Sequence, residues 1–550
     1  MKFALLSNIN LEYIIRKFTK NQNIECYSPN GYGVWQQIIM DPNSVIYENS
    51  IDSIFLILDA QELTRGCDSF EEKAKELNSI MHSIVTAINE IGSKKKFFIS
   101  NLHYKYSEIK SLKHQNQNKK LEYLWFSELE KLNNEHDNVY MFHLDEMILR
   151  LGSEEFYSDK LWYLGGAKYS IKAQNIISNT IELLMKALNK KRKKCLVLDL
   201  DNTLWGGVIG EDGLEGIELS EFKEGARYKD FQKRIKELKE MGILLAICSK
   251  NNYEDAMEAI NKHEHMVLKE EDFVCTKINW EPKTRNIKEI ASELNIGIDS
   301  LVFIDDNPVE RDAVRENVPE VCVPEFPKDT SKLEAFAHDI YEIYFFTLDN
   351  TIEDKNKTKM YKDNVRRNTE RAAATDLESF FKGLKTKILI REVLPEDIKR
   401  ATELTQKTNQ FNLTTKRYTD KEILNLASSK NTKIYIASVS DKYGDNGKVS
   451  LAIVNLVGEE SVIDSFIMSC RVMGRYIEDQ IIDYIENDLK EHGVKTIKAL
   501  YKPTKKNKPV LGFYDRLGYK KINETNGEKE YKLDLSKKQL RKLYGELISK

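Results

Sequence analysis

The stretch LVLDLDNTLWGGVIGEDG, Leu196 to Gly213, decides how this chain is read. The run Cys195-Leu-Val-Leu predicts a buried parallel strand, and such strands deliver polar residues to the crevice beyond their carboxyl ends. Asp199 and Asp201 point the same way, because side-chain direction in extended chain repeats every second residue. One carboxylate can act as nucleophile while its neighbour handles protons. The residues that follow, Gly206-Gly207-Val-Ile-Gly210-Glu-Asp-Gly213, favour turns and predict a small hairpin flap beside the pair.

Three further groups complete the pattern: Ser249 after GILLAICSKN, Lys283 in NWEPK, and Asp305-Asp306-Asn307 closing LVFIDDN, all read as strand ends. A hydroxyl can bond a phosphoryl oxygen, a lysine can neutralise transferring charge, and paired carboxylates can hold a hard cation, with Mg²⁺ expected. Asp199 and Ser249 are 50 positions apart, which the flap, one helix and a strand consume, leaving no room for a cap domain. The 34 positions to Lys283 suffice for a helix and a strand. An uncapped site favours a tethered or macromolecular phosphate over a small free metabolite.

DxDNT, then Ser, then Lys, then DD resembles the haloacid dehalogenase superfamily over about residues 194–330. That resemblance implies that Asp199 attacks phosphorus to form an aspartyl-phosphate, and that Asp201 protonates the leaving group and then activates water. It places Ser249 and Lys283 on the phosphoryl oxygens and groups Thr203 with them as the residue that orients the loop. Mg²⁺ would be held by Asp199, the backbone carbonyl of Asp201, and Asp305 or Asp306.

In the C-terminal part, Ser469-Cys470-Arg471-Val-Met-Gly474-Arg475-Tyr476 joins the predicted strand Val462 to Met468 to the predicted helix Ile477 to Lys490. A glycine at a helix N-terminus suits a pyrophosphate. With Asn507 to Tyr519, this segment resembles the GCN5-related acyltransferases. The resemblance implies pantetheine contacts from Arg471, Gly474, Arg475 and Asn507, and thiolate assistance from Tyr514. Tyr476 stands where the family has a second glycine or alanine, which points away from free coenzyme A and towards a carrier protein's phosphopantetheine arm. Cys470 is the suggestive thiol, since a helix N-terminus lowers a thiol pKa; Cys248, inside an apolar strand, is its rival.

In the N-terminal part Ser7, Asn101 and Asp159 resemble the blocks of SGNH hydrolases. Trp162 stands where the catalytic histidine belongs, so a non-hydrolytic domain is expected. His263-Glu-His265 reads as a surface helix end rather than a metal site.

At 550 residues the chain exceeds one ordinary core. The domains expected are 1–190, an SGNH-like α/β domain; 194–335, a capless haloacid dehalogenase Rossmannoid domain; 336–385, a helical connector with one packed face; and 386–550, an antiparallel α+β acyltransferase-like domain. A net charge of -3 gives no electrostatic case for nucleic acid. No window reaches the length of a membrane span, the N-terminus lacks a secretion signal's continuous apolar core, and seven scattered cysteines suit a reducing cytosol; a cytoplasmic location is expected.

Taken in order, LWGGVIGEDGLEGIEL followed by MSCRVMGR resembles the FkbH-like proteins over nearly the whole chain. That resemblance implies loading of a glyceryl unit from 1,3-bisphosphoglycerate onto an acyl carrier protein through a thioester on Cys470, with removal of the remaining phosphate. Two alternatives stand beside it. One is a phosphatase fused to an N-acyltransferase in surface-glycan or natural-product biosynthesis; the other is a non-catalytic carrier-protein docking platform.

Overall fold

The computed structural model describes residues 1–20, 23–29, 31–48, 50–92, 95–111, 113, 116–189, 192–350, 356–374 and 376–549. The lysines at 190 and 191 of the expected domain boundary, and residues 351–355 and 375 of the expected connector, lie outside the described residues. The chain divides into two compact units, Met1–Lys190 and Lys191–Lys550.

The first unit is built on five strands: β1 (Lys2–Ser7), β2 (Glu25–Tyr27), β3 (Ser53–Ile57), β4 (Lys96–Ser100) and β5 (Val139–Phe142). Their order is β2-β1-β3-β4-β5, and every pairing is parallel. Strands β1, β3 and β4 are buried on both faces, so they read as unbroken apolar runs rather than alternating ones. Phe55 stacks on Phe98 at 4.5 Å across adjacent strands. The helix Phe70–Ile91 starts at a capping box, Ser69 with Glu72, and lays Leu77, Ile80, Ile84 and Ile88 on the sheet. Strand β2, only three residues and half exposed, carries no periodicity that would reveal it.

The second unit begins with a four-stranded parallel sheet: β6 (Cys195–Leu198), β7 (Leu244–Ser249), β8 (Phe273–Ile278) and β9 (Leu301–Ile304), in the order β8-β7-β6-β9. Leu196 and Leu198 face one core with Phe231, Ile235 and Phe336, while Val197 faces the other with Ala246, Cys248 and Ile287. All four strands therefore discharge at one edge. Between β6 and β7 lie only the helices Ile209–Gly216 and Lys223–Glu240, and between β7 and β8 the helix Tyr253–Lys262, so no cap domain is inserted there. The expected hairpin flap is corrected. Gly206 and Glu218 do pair antiparallel, but the chain between them turns helical, because Asp212 accepts the Val208 amide at 2.7 Å and Asp201 the Ile209 amide at 3.1 Å.

The C-terminal sheet comprises β10 (Lys387–Glu392), β11 (Phe411–Asn412), β12 (Thr432–Asp441), β13 (Gly444–Val457), β14 (Glu460–Met468), β15 (Thr496–Tyr501), β16 (Lys520–Thr525), β17 (Glu528–Asp534) and β18 (Glu546–Ser549). It is α+β but not wholly antiparallel, since β14 with β15 and β10 with β18 are parallel. The parallel pairing of β14 and β15 stops at Ile463–Ala499, although β14 runs on to Met468. Beyond that point residues 411–413 fill the widening gap. Phe411 and Asn412 pair with Met468 and Ile467, the Leu413 amide donates to the Phe466 carbonyl, and the Leu413 carbonyl accepts from the Lys502 amide.

Of the expected connector, Phe336, Ala337, Ile340 and Phe345 pack into the core of the middle sheet, and the rest carries two helices, Lys357–Ala373 and Leu377–Gly383. The first is no simple spacer. Tyr361 enters the core of the middle sheet, while Arg367 reaches Asp441 at the end of β12, and this shared packing makes one compact unit of both sheets.

Candidate active site

Asp199 leaves β6 with its amide bonded to the Ile304 carbonyl at 3.0 Å, which places β6 and β9 ends side by side. Carboxylate oxygens of Asp199, Asp305 and Asp306 gather within 4.8 Å of one another. Three hard oxygen donors at that spacing fit Mg²⁺. Lys283 stands among them, its ammonium 2.9 Å from Asp199 Oδ1 and 2.6 Å from Asp305 Oδ2. It enters from the first turn of the helix Lys283–Glu293 and not from a strand end, since β8 stops at Ile278 and Asn279 to Pro282 form the turn between.

The electrostatics follow from burial. Burial by itself would lower the Lys283 ammonium, but the charges of Asp199 and Asp305 outweigh it and hold its pKa above the usual lysine value. Burial, reinforced by the Asp199 charge, lifts Asp305 to about 6 against the pull of Lys283, and Asp306 to about 6 in the same way.

The Asp201 carboxylate is held by three donors. Its Oδ1 accepts from the Trp205 indole at 2.9 Å and the Ile209 amide at 3.1 Å, and its Oδ2 accepts from Asn251 Nδ2 at 2.8 Å. Of its atoms, the backbone carbonyl is left to serve a metal, while burial raises the carboxyl above the usual range despite those three donors. A carboxyl held that way suits proton transfer. Ser249 is the last residue of β7 and is buried.

Thr203 orients the loop: it is fully buried and its hydroxyl accepts the Asp306 amide at 3.2 Å, which leaves it a support for the phosphate site. Two residues escaped the sequence reading. Arg311 donates to the Asp305 and Asp306 carbonyls at 2.9 and 2.6 Å and clamps the metal loop. Asn251 steadies Asp201 from two residues beyond Ser249, a spacing that alternation along extended chain would have flagged.

In the first unit the Ser7 hydroxyl donates to the Ile57 carbonyl at 2.6 Å, Asn101 Oδ1 accepts the Leu144 amide at 2.9 Å, and Asp159 is paired with Lys105 at 2.6 Å. Each is occupied by its own fold. His263 and His265 sit with ring centroids 6.0 Å apart.

The acyltransferase-like residues are placed less favourably. Cys470 opens the 3-10 turn Cys470–Val472, and the helix Ile477–Glu491 begins only after Tyr476, held at φ 59°. The thiol is therefore not at that helix's N-terminus, because Gly474 at φ 72° and Arg475 intervene. Cys248 is fully buried, and burial pushes its thiol far up. Asn507 is corrected to a structural staple. Its Oδ1 accepts from the Thr504 amide at 2.7 Å and the Tyr501 hydroxyl at 3.0 Å, and its Nδ2 donates to the Asn412 and Lys502 carbonyls at 2.9 and 2.8 Å, leaving nothing for a ligand. Tyr514 is buried between Tyr519 and Tyr531, its hydroxyl has no hydrogen-bond partner among the described residues, and burial raises its pKa steeply. It is not among the residues lining the cavity that holds Cys470.

Residues 194–335 match the family model of NLI interacting factor-like phosphatases. The N-terminal part of protein BF1531 from Bacteroides fragilis, which contains a phosphatase domain and was solved complexed with Mg, is 31% identical with a TM-score of 0.56; the match covers 63% of this chain and 94% of that one. The chain belongs to the same family as that Bacteroides protein. Its middle domain is a phosphatase domain of the haloacid dehalogenase type. Two acetyltransferases also match weakly. The ribosomal-protein-S18-alanine N-acetyltransferase of Escherichia coli is 13% identical at TM-score 0.22, covering 27% of this chain and 94% of its own; the PaiA N-acetyltransferase of Thermoplasma acidophilum, solved with coenzyme A, is 13% identical at 0.23, covering 27% and 98%. Scores this low leave the C-terminal domain to be read from its own strands. No curated protein matches the chain. None of the described helices is long and apolar enough to cross a membrane.

Proposed function

We propose that this protein loads a glyceryl unit from 1,3-bisphosphoglycerate onto an acyl carrier protein and strips the remaining phosphate through an aspartyl-phosphate on Asp199. The observation that carries the phosphatase half is the convergence of Asp199, Asp305 and Asp306 around Lys283 at one sheet edge. Asp199 attacks phosphorus while Lys283 and Ser249 hold phosphoryl oxygens; Asp201 protonates the leaving oxygen and then takes a proton from water. Bound Mg²⁺ would neutralise phosphoryl charge, held by Asp199, Asp305 or Asp306, and the Asp201 carbonyl. In the acyl half the Cys470 thiolate attacks the acyl-phosphate carbonyl, inorganic phosphate leaves, and the phosphopantetheine thiol then displaces Cys470 from the thioester.

A carrier-bound substrate is supported by the mouth of the site. Tyr253, Trp280 and Val309 follow β7, β8 and β9 at the discharging edge and stay exposed, as a macromolecular partner requires. The pantetheine route is narrowed by residues 411–413 and Asn507, which leave no gap for an arm between the diverging ends of β14 and β15. Arg471, Gly474 and Arg475 thus remain the proposed contacts for the arm.

The test is intact mass spectrometry of a phosphopantetheinylated carrier after incubation with 1,3-bisphosphoglycerate, Mg²⁺ and the protein. A glyceryl adduct on the carrier is expected, becoming a phosphoglyceryl adduct with Asp199→Asn. Acetyl transfer from coenzyme A with no glyceryl adduct would favour the N-acyltransferase alternative, and no adduct of either kind the docking platform.

A further inference from the structure

Within the second unit a cavity of about 440 Å³ opens between the phosphatase domain, the helix Lys357–Ala373 and the loop after β14. Arg367 and Arg371 line it from the helix, Arg471 and Arg475 from the loop, and Cys470 belongs to the wall, its thiol beside the buried Tyr361 hydroxyl. We propose that this cavity is a second phosphate site, separate from the Asp199 centre, which grips the phosphoryl group of an organic phosphate beside Cys470. The proposal does not depend on the thioester reading, because it concerns charge and space alone.

The donors of these guanidiniums are not all spent on the fold. Buried Asp441 pairs directly with two of these guanidiniums: Arg367 binds it through Nε and Nη2 at 2.8 Å each, and Arg475 Nη1 shares Oδ2 at 2.7 Å. Asp363 also acts on Arg367 and Glu478 on Arg475, so several groups share the charge and the unspent donors decide what the cavity can bind. Arg475 is more than nine-tenths buried, and its Nε and Nη2 have no hydrogen-bond partner among the described residues. Buried donors of that kind are costly unless something accepts from them. Arg371 has no carboxylate partner among the described residues; its Nη1 would lie 3.7 Å from a Cβ built on Gly474, and its guanidinium otherwise packs on Phe381. Arg471 bonds Ser469 Oγ at 3.1 Å and lies against the Met360 sulfur.

The neighbouring helix end does not supply the anion's other partner. The helix Ile477–Glu491 carries Glu478 and Asp479 in its first turn, both buried, and these oppose a second anion there. Arg475 from the loop and Arg371 from the helix Lys357–Ala373 therefore carry the recognition, in the planar fork geometry that suits phosphate. Asn295, from the turn after the helix Lys283–Glu293, donates to the Cys470 carbonyl at 2.8 Å and fixes the loop against the phosphatase domain. The volume suits a small organic phosphate. Two sources share this chemistry: a free phosphate monoester, and the phosphodiester of a phosphopantetheine arm.

The experiment uses the full chain in EDTA and follows alkylation of Cys470 by iodoacetamide with peptide mapping. The probes are 3-phosphoglycerate and the methyl phosphodiester of S-methyl-phosphopantetheine, with glycerate and S-methyl-pantetheine as their unphosphorylated controls. One phosphorylated probe should slow alkylation at Cys470 at least fivefold while its control does not, and whichever acts identifies the source. Arg371→Ala, an exposed position, should raise the concentration needed about tenfold while the alkylation rate at Cys322 stays unchanged. Calorimetric titration of the same probes into wild type and Arg371→Ala decides the question if the free thiol proves unreactive. Equal behaviour of phosphorylated and unphosphorylated probes, or unaltered binding in Arg371→Ala, would overturn the proposal; inorganic phosphate matching the best probe would too, since it would show an adventitious ion only.

Discussion

Replacing Lys283 by Met removes one buried ammonium and leaves Asp199, Asp305 and Asp306 facing each other. In the native protein that ammonium lies 2.9 and 2.6 Å from two carboxylates, each attraction amounting to roughly 6 kcal/mol at an effective dielectric of 20 before desolvation is counted. Removing one partner of a buried pair costs about 3–5 kcal/mol net. The loss should depend on pH. Asp305, at about 6, already lies above its unfolded value, so its protonation favours the fold below that pH and the benefit fades as pH rises through it. Without Lys283 the repulsion among ionised carboxylates should grow from pH 5.5 to pH 8. The assay is hydrogen exchange of the β6, β7 and β9 amides in EDTA, which reads local opening in a multidomain chain that is not two-state. Protection at pH 8 should fall by about two to four orders of magnitude, with partial recovery at pH 5.5 and on adding Mg²⁺. A fall of less than about tenfold at pH 8, or the same fall at both pH values, would refute the reasoning.

Arg311→Met should weaken Mg²⁺ binding by about 10- to 100-fold through the loosened Asp305–Asp306 loop, measured by calorimetric titration. Asn507→Ala breaks four hydrogen bonds at the gap between β14 and β15 and should destabilise the C-terminal sheet by about 2–4 kcal/mol without altering the phosphatase rate; urea unfolding and turnover measured together check both. Burial lifts Glu478 to about 7, so the folded chain holds a proton there that the unfolded chain has released, and stability should decline from pH 5 to pH 8 by up to about 3 kcal/mol. Glu478→Gln should flatten that slope in thermal unfolding series.

The phosphatase constellation was legible because four of its residues sit where apolar strands end, and strand ends announce themselves as a change from apolar run to polar residue. Lys283 was legible as a residue but not as a helix start, since β8, FVCTKI, mixes polar and apolar positions and hides its own end. The flap was misread because glycine spacing signals a turn, whereas the acceptors that nucleate its helix, Asp201 and Asp212, act through their side chains. The helix Lys357–Ala373 looked like a charged connector because its buried face mixes Met360 and Tyr361 with Asp363, Asn364 and Arg367; the Arg367 pair with Asp441 across space is what no local pattern shows. Strand β16 is exposed throughout and gives no hydrophobic pattern to find. Asn507 shows the opposite failure. A motif position can match a ligand-binding family while the side chain spends every donor and acceptor on its own fold.

The most direct test of Asp199 as nucleophile is rapid acid quench of the protein turning over a ³²P-labelled phosphate monoester with Mg²⁺, followed by peptide mapping. Hydroxylamine-labile label on the peptide containing Asp199, absent from Asp199→Asn, is the result expected. Turnover at the wild-type rate by Asp199→Asn, or label on any other residue, would contradict it.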